Sequence, residues 1–519
     1  MDKQLKHMIG QMLSAGFPSP VADEQAHRLV EEFEVGNYYV FGRNLANAKQ
    51  ICELTGALTQ IAYQKNGVAP FICLDQEGGA VSRIVEGASL FPGAMALAAS
   101  GTGEAYLVGK NAGEVMRAMG ITSTASPVLD VNVEPLNPII GARAFSDDPE
   151  FVARIGTAMM KGLMDGGLIA TVKHYPGHGN VKSDSHLELP YNDTSRETLE
   201  STEWMPFQKA FDEGADALMT AHVVYPAVDP DRPATLSRII LTDILRKKQN
   251  FKGIVATDCM EMNAVKVTYG IGESAVMAIE AGCDLLTFSH TIEAVSEGVK
   301  AIYEAVESGQ IPKSRIEESY NRIMNIKKKY GLLVPPKIDA EYALKIANSE
   351  ERISLNTRLS RQSLTLLKDT GGLEKLKNAK NPLFLAPPSL SLNGAEDVRV
   401  NPLCFSKKAV NAMGGESHVL PLNEFNEGIE KAIRESTCDA FVMGLYNARF
   451  RKGQVETLRL LESLGKPLIV IMLGAPYDLS LIENADSVIA SYEYTTLSVD
   501  SIIYALKTGE FPGSSPVAL

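Results

Sequence analysis

The stretch 173–190, KHYPGHGNVKSDSHLELP, concentrates more chemistry than any other part of this chain. Three of the chain's eight histidines, His174, His178 and His186, lie inside it, and Asp184 stands two residues before His186. The Pro-Gly-His-Gly centre excludes helix and regular strand, so the segment reads as a loop able to present an imidazole and close over a ligand. Asp184 and His186 make a sensible acid/base pair. A carboxylate on one ring nitrogen fixes the tautomer and favours the imidazolium, which leaves the other nitrogen to give or take a proton. By spacing alone, Asp-x-His reads more readily as a helix cap followed by an exposed histidine. His174, His178, His186, Asp184 and His222 are also residue types that bind zinc, although no His-x-His or His-Glu-x-x-His arrangement supports that reading.

The second candidate group lies in GIVATDCMEM, 253–262. Asp258 ends an apolar run, where a strand can hold a carboxylate rigidly beneath a substrate. Glu261 is close in sequence, but a helical start there directs it elsewhere. An Asp on a strand end suits a nucleophile, and a His on a loop suits a proton donor. The common glycosidase arrangement pairs two carboxylates; here His–Asp would replace one of them.

These residues need a scaffold that gathers strand ends. Residues 1–335 alternate short apolar runs with helical stretches. Strands are expected at 38–41, 71–74, 122–128, 169–172, 217–220, 253–257 and 284–288, and helices at 104–119, 152–165, 203–213, 239–248 and 271–281. The runs are continuously apolar rather than alternating, as buried parallel strands are. Repeated βα units of this length predict an α/β fold, a (β/α)8-type TIM barrel, with a doubly wound open sheet as the structural alternative. Asp75, Lys173, His174, His222 and Asp258 each follow one of these runs, and parallel barrel strands open onto one catalytic face. The pattern breaks at 336–352, a Pro-Pro followed by a polar helix, which reads as a linker. Residues 353–519 then show β and α signals again, at 383–386, 440–444, 467–473 and 487–490. They predict a smaller α/β sandwich domain.

Bulk composition narrows the function classes. At 519 residues the chain exceeds one hydrophobic core, and its 45% hydrophobic and 22% charged content is that of a globular protein. A net charge of −13 argues against nucleic acid or an anionic membrane as partner and favours a locally recognised small molecule. No run approaches the ~18 apolar residues of a membrane span, and the N-terminus lacks a secretory signal pattern. The six cysteines, at 52, 73, 259, 283, 404 and 438, include no CxxC pair. That usage fits reduced, buried thiols and a cytoplasmic location.

Taken together, the motifs resemble glycoside hydrolase family 3, specifically its β-N-acetylglucosaminidase branch. The likeness runs through YVFGRN at 39–44, LDQEGGAVSRI at 74–84, SPVLDVN at 126–132, IGARAFSDDP at 140–149, KHYPGHGNVKSDSH, MTAHVVYPAVD at 219–229, GIVATDCMEM and AGCDLL at 281–286. Lys-His-x-Pro-Gly-His-Gly followed by Asp-Ser-His is specific to that branch; the family's β-glucosidases lack it and take their acid/base carboxylate from a later domain. The resemblance implies Asp258 as nucleophile and His186 as acid/base held by Asp184. It implies Asp75, Arg83, Arg143, Lys173 and His174 as ligands of the sugar hydroxyls and N-acetyl group, with Arg83 and Arg143 otherwise readable as structural ion pairs. His178 and His222 would shape loop and pocket, and Asp130 would buttress a strand end. Cys259, where many relatives carry another residue, is expected to point away from the site. No metal or organic cofactor is implied. The substrate would be a small glycan with non-reducing GlcNAc, muropeptide fragments foremost, and a homodimer is left open. Phosphorolysis at the same site is the nearer alternative to hydrolysis, and a zinc hydrolase the more distant one.

Overall fold

The computed structural model describes residues 2–84, 90–101, 103–390, 404–425 and 427–519. Eight short strands close into a parallel barrel: β1 (Leu13–Ala15), β2 (Asn37–Tyr39), β3 (Ile72–Leu74), β4 (Ser123–Thr124), β5 (Ile169–Tyr175), β6 (Ala217–Thr220), β7 (Ile254–Cys259) and β8 (Leu285–Phe288). Each pairs with its neighbours in chain order, and β8 closes on β1 through Leu13↔Leu286 and Ala15↔Phe288. The seven expected strands are all present. The eighth, β1, was not anticipated, because three residues directly after the amphipathic helix Lys3–Gln11 carry no periodicity of their own.

Strand ends differ from expectation where it matters for chemistry. β5 runs on to Tyr175, so Lys173 and His174 sit among its last residues rather than after it. β7 likewise extends to Cys259, which places Asp258 within paired backbone. By contrast, the expected strand 122–128 shrinks to Ser123–Thr124, with one further bridge from Val128 to Lys173. The barrel core is filled by apolar side chains from strands and surrounding helices, among them Leu74, Ile169, Val172, Leu218, Val255 and Phe288.

The second domain holds a six-stranded sheet in the order β9-β14-β13-β12-β10-β11, formed by β9 (Thr365–Asp369), β10 (Pro382–Ala386), β11 (Glu416–Val419), β12 (Ala440–Leu445), β13 (Leu468–Met472) and β14 (Ser487–Ala490). All neighbours are parallel except β9, which runs antiparallel to β14. Separate apolar clusters cover its two faces, so the sheet is sandwiched between helical layers. The segment 336–352 includes the helix Ala340–Ala347, whose Ala343 and Ala347 belong to the barrel core, and the start of the helix Glu350–Ser363.

The domains share a seam rather than merely a tether. In the short helix Ala94–Ala99, Ala94, Leu97 and Ala98 belong to the barrel core, whereas Met95, Ala96 and Ala99 belong to the core of the second domain. Polar contacts close the same seam: Asn132 Nδ2 donates to the Tyr477 hydroxyl at 2.7 Å, the Gly93 amide donates to Glu493 Oε2 at 2.6 Å, and Arg449 Nε donates to the Pro135 carbonyl at 3.1 Å.

Candidate active site

At the C-terminal ends of the barrel strands lies a cavity of about 260 Å³, lined among others by Tyr39, Asp75, Arg83, Arg143, Lys173, His174, His178, His186 and Asp258. Its volume is just under the ~300 Å³ at which small-molecule pockets typically begin, which suits one small ring. The cavity therefore gathers Asp75, Arg83, Arg143, Lys173, His174, His178, His186 and Asp258, while Asp184 sits directly behind His186 and His222 and Asp130 lie behind the wall. None of the candidates is stranded elsewhere in the fold.

Asp258 is half-buried at the end of β7, where the Cys259 amide donates to its Oδ1 at 2.7 Å. Burial works against its charge, but the imidazoles of His222, His174 and His186 and the Cys259 amide outweigh it and hold the carboxyl below its ordinary value. It is therefore an anion at neutral pH. His222, fully buried, donates from Nε2 to the Cys259 carbonyl at 3.0 Å and meets Thr235 Oγ1 through Nδ1 at 2.8 Å. Cys259, the residue after Asp258, is thus held at both its amide and its carbonyl. Cys259 was expected to face away, yet it forms part of the cavity wall, at a point where the register between β7 and β8 is irregular. Glu261 does turn away, accepting the amides of His290 and Thr291.

His186 and Asp184 form the pair the spacing suggested. Asp184 Oδ1 accepts from the His186 amide at 2.7 Å and lies 2.8 Å from its Nδ1, which leaves Nε2 for the cavity. Burial would raise the Asp184 carboxyl, but its bonds to the His186 ring and amide dominate and lower it. The loop that carries them is anchored at its first turn. Asp130, completely buried, accepts the amides of His174 and His178 at 3.1 and 2.7 Å and meets His174 Nδ1 at 2.7 Å. Burial pushes the His178 imidazole down to about 4, so it is neutral, and its Nε2 lies 3.2 Å from Ser185 Oγ.

The floor is an ion network. Lys173 Nζ sits 2.6 Å from both Asp75 Oδ1 and Glu77 Oε1, and Arg83 is 3.4 Å from Asp75 Oδ2. Arg143 makes a bidentate pair with Glu77 at 2.8 and 2.9 Å and donates its remaining terminal nitrogen to the Ile139 carbonyl at 3.1 Å. Burial pushes the Glu77 carboxyl up, but Arg143 and Lys173 outweigh it and take it down to about 2. Asp75 is lowered in the same way: burial is overcome by Lys173 and Arg83. Arg83 and Arg143 are thus both cavity residues and members of a structural ion network, the two readings the sequence left open, and Lys173 joins the same network. Glu77, which ties them together, was not singled out, although it lies in LDQEGG beside Asp75.

The rim adds residues that sequence reasoning missed. Phe41 stacks on His290 with ring centroids 5.6 Å apart, and the Arg43 guanidinium lies 4.5 Å from the Phe41 centroid. His290 lies just beyond the apolar run of β8, as Asp258 lies just beyond the apolar run 253–257, so the same strand-end rule would have found it. Among the described residues, no three His, Cys, Asp or Glu side chains converge as a metal-ion site; Asp130 and Ser185 engage His174 and His178, and Cys259 and Thr235 engage His222.

A (β/α)8 barrel with an anionic Asp on one strand end and a His–Asp pair over the same ring-sized cavity is the equipment of a glycoside hydrolase. Comparison with known proteins agrees. Residues 4–326 match the Glycosyl hydrolase family 3 N terminal domain. The chain is similar to a glycoside hydrolase family 3 beta-N-acetylglucosaminidase from Paenibacillus sp. str. FPU-7, with 34% identity, a TM-score of 0.92 and 99% of each chain covered. It is also similar to Beta-hexosaminidase A of Pseudoalteromonas piscicida, 27% identical across 90% of this chain and 84% of that one. Beta-hexosaminidase of Neisseria meningitidis serogroup C (strain 053442) is 37% identical across 53% of this chain and 79% of its own length. The chain belongs to glycoside hydrolase family 3.

Proposed function

We propose that the protein is a retaining exo-β-N-acetylglucosaminidase that releases terminal GlcNAc from small glycans, muropeptide fragments foremost, in the cytoplasm. The observation that carries this reading is the meeting of Asp258 with the His186–Asp184 pair at one cavity. Asp258, held anionic, attacks the anomeric carbon while His186, as imidazolium, protonates the departing glycosidic oxygen. Water deprotonated by the now neutral His186 then cleaves the glycosyl-enzyme, so configuration is retained. Asp184 fixes the ring and stabilises its cationic form. Asp75 accepts sugar hydroxyl protons, with Lys173, Arg83 and His174 supplying donors and Arg143 holding Glu77 in place.

The test is turnover of 4-nitrophenyl β-N-acetylglucosaminide by the wild type and by Asp258→Ala, together with trapping by a fluorinated GlcNAc inactivator. Labelling of the Asp258 peptide is expected. Labelling elsewhere, or full turnover by the Ala variant, removes the reading.

A further inference from the structure

Glu203 is a carboxyl that the proposed reaction does not use, and its surroundings are unusual. It is about 1% exposed, and its Oε2 has no hydrogen-bond partner among the described residues. It closes a single π-helical turn, Leu199–Glu203, completed by the Trp204 amide donating to the Leu199 carbonyl at 2.9 Å. Such turns cluster at functional sites because the extra residue re-aims a side chain. Here the side chain is aimed at the underside of the Pro-Gly-His-Gly turn. Gly177 has φ +135°, and a Cβ there would lie 2.2 Å from Glu203 Oε2; a Cβ on Gly179 would lie 1.7 Å from the Val131 carbonyl oxygen. The turn therefore passes between Glu203 and Val131 with no room for a side chain on either glycine.

Other groups secure the same turn. Tyr225 donates its hydroxyl to the Gly177 carbonyl at 2.5 Å, and Asn137 Nδ2 donates to the His178 and Gly179 carbonyls at 2.8 and 3.2 Å. Asn192, from the strand-like return of the loop, approaches Glu203 Oε1 at 3.4 Å. From this turn His178 reaches Ser185, the residue between Asp184 and His186.

We propose that Glu203 is a positioning residue for the loop that carries His186, supporting its first turn from below and acting on His186 through His178 and Ser185. The proposal rests on the reading of His186 as the acid/base only for its effect on turnover; the contact itself does not depend on that reading.

The chemistry of the site fixes the form in which Glu203 does this. Burial, reinforced by the negative charge of Asp130, pushes its carboxyl up to about 8, and Asn192 with the Gly179 and Asn180 amides offsets only part of that. The charged or titratable groups around the turn are Asp130, His174, His178, Tyr175 and Tyr225. Asp130 is held low and anionic, His178 is neutral with its imidazole at about 4, and burial lifts both tyrosines well above their ordinary range. His174 is bonded to Asp130. Glu203 thus packs against Gly177 as a neutral acid. Ionisation would set a second anion beside Asp130 under the turn, and an unpaired buried charge is costly.

The adjacent residue supplies the readout. Trp204 is the only tryptophan of the chain, and it is buried. Its fluorescence, excited where tyrosine does not absorb, is measured from about pH 6 to about pH 10 in wild type and Glu203→Gln, with circular dichroism confirming an intact fold. Wild type is expected to show a transition near 8 that Glu203→Gln lacks. In parallel, Glu203→Ala should lower kcat/KM on the order of 10²-fold by loosening the loop, and Glu203→Gln should restore most of that loss. A flat wild-type titration, or the same transition in Glu203→Gln, overturns the proposal. So does a Glu203→Gln variant as impaired as Glu203→Ala. Should Glu203→Ala fail to fold, the fluorescence comparison still decides. Because Trp204 reports without substrate, a wrong assignment of the reaction leaves this result readable.

Discussion

His222 holds the carbonyl of Cys259 at 3.0 Å from its Nε2, and so fixes the peptide that follows Asp258 without reaching for the cavity itself. Replacing it with Ala removes that donor and the imidazole that does most to favour the Asp258 anion. Two effects are expected. A displaced nucleophile should lower kcat on the order of 10-fold to 10²-fold with little change in KM. The acid limb of the kcat/KM profile should move to higher pH, since Asp258 would then protonate sooner. An unmoved limb would show that His222 is only packing.

Removing the proton donor should be selective for the substrate. In His186→Ala the departing oxygen must leave without protonation. In kcat/KM, which reports only the first step, glycosides of strongly acidic phenols should keep most of their rate, whereas alkyl or sugar aglycones should lose about 10²-fold to 10⁴-fold; kcat should fall for all of them, because the base for the second step is gone as well. Asp184→Asn should follow the same pattern more mildly. Equal losses in kcat/KM across a leaving-group series would contradict the acid/base assignment.

The floor network governs stability as well as binding. Glu77→Gln leaves Arg143 and Lys173, both nearly buried, sharing one carboxylate fewer, and breaking such a pair costs about 3–5 kcal/mol. The sign with pH follows from the lowered carboxyl. A group depressed on folding adds stability above its unfolded value, and that stability is lost as pH falls through its folded one. The gap between wild type and Glu77→Gln should therefore be full at neutral pH and close between about pH 4.5 and about 2. Urea unfolding at several pH values checks this, and a gap that widens in acid would rule it out.

Water and phosphate compete for the same intermediate. If His186 is the acid/base, as proposed, no fixed anion on that residue repels incoming phosphate. Hydrolysis is nevertheless the expected outcome, with free GlcNAc exceeding GlcNAc-1-phosphate when both acceptors are present. Phosphorus NMR of the products decides, and a predominance of the sugar phosphate would reassign the reaction.

The barrel and most of its catalytic face were legible because buried parallel strands are continuous apolar runs. Asp75, Lys173, His174, His222 and Asp258 were found by standing at the ends of such runs. The closeness of His186 to Asp258 was not legible from spacing; 72 residues separate them, and only the family resemblance brought them together. Glu77 was hidden by its neighbour, since a carboxylate two residues from Asp75 carries no signal of which cation it will meet. Glu203 was hidden by periodicity: the segment 203–213 reads as an ordinary amphipathic helix, and the π turn that rotates Glu203 inward has no residue-type signature. In the second domain the inner strands were anticipated, while β9 and β11 were not. Both are edge strands, open to polar residues and so without an apolar run.

The helix Ala94–Ala99 contributes three side chains to each of two cores, and that arrangement bears on how the molecule comes apart. Melting the C-terminal sheet would strip apolar cover from Met95, Ala96 and Ala99 and release the Glu493 contact to Gly93. The barrel could not remain indifferent to that loss. Calorimetry should accordingly record one cooperative endotherm for the whole chain rather than two separable ones, and inactivation on heating should track it.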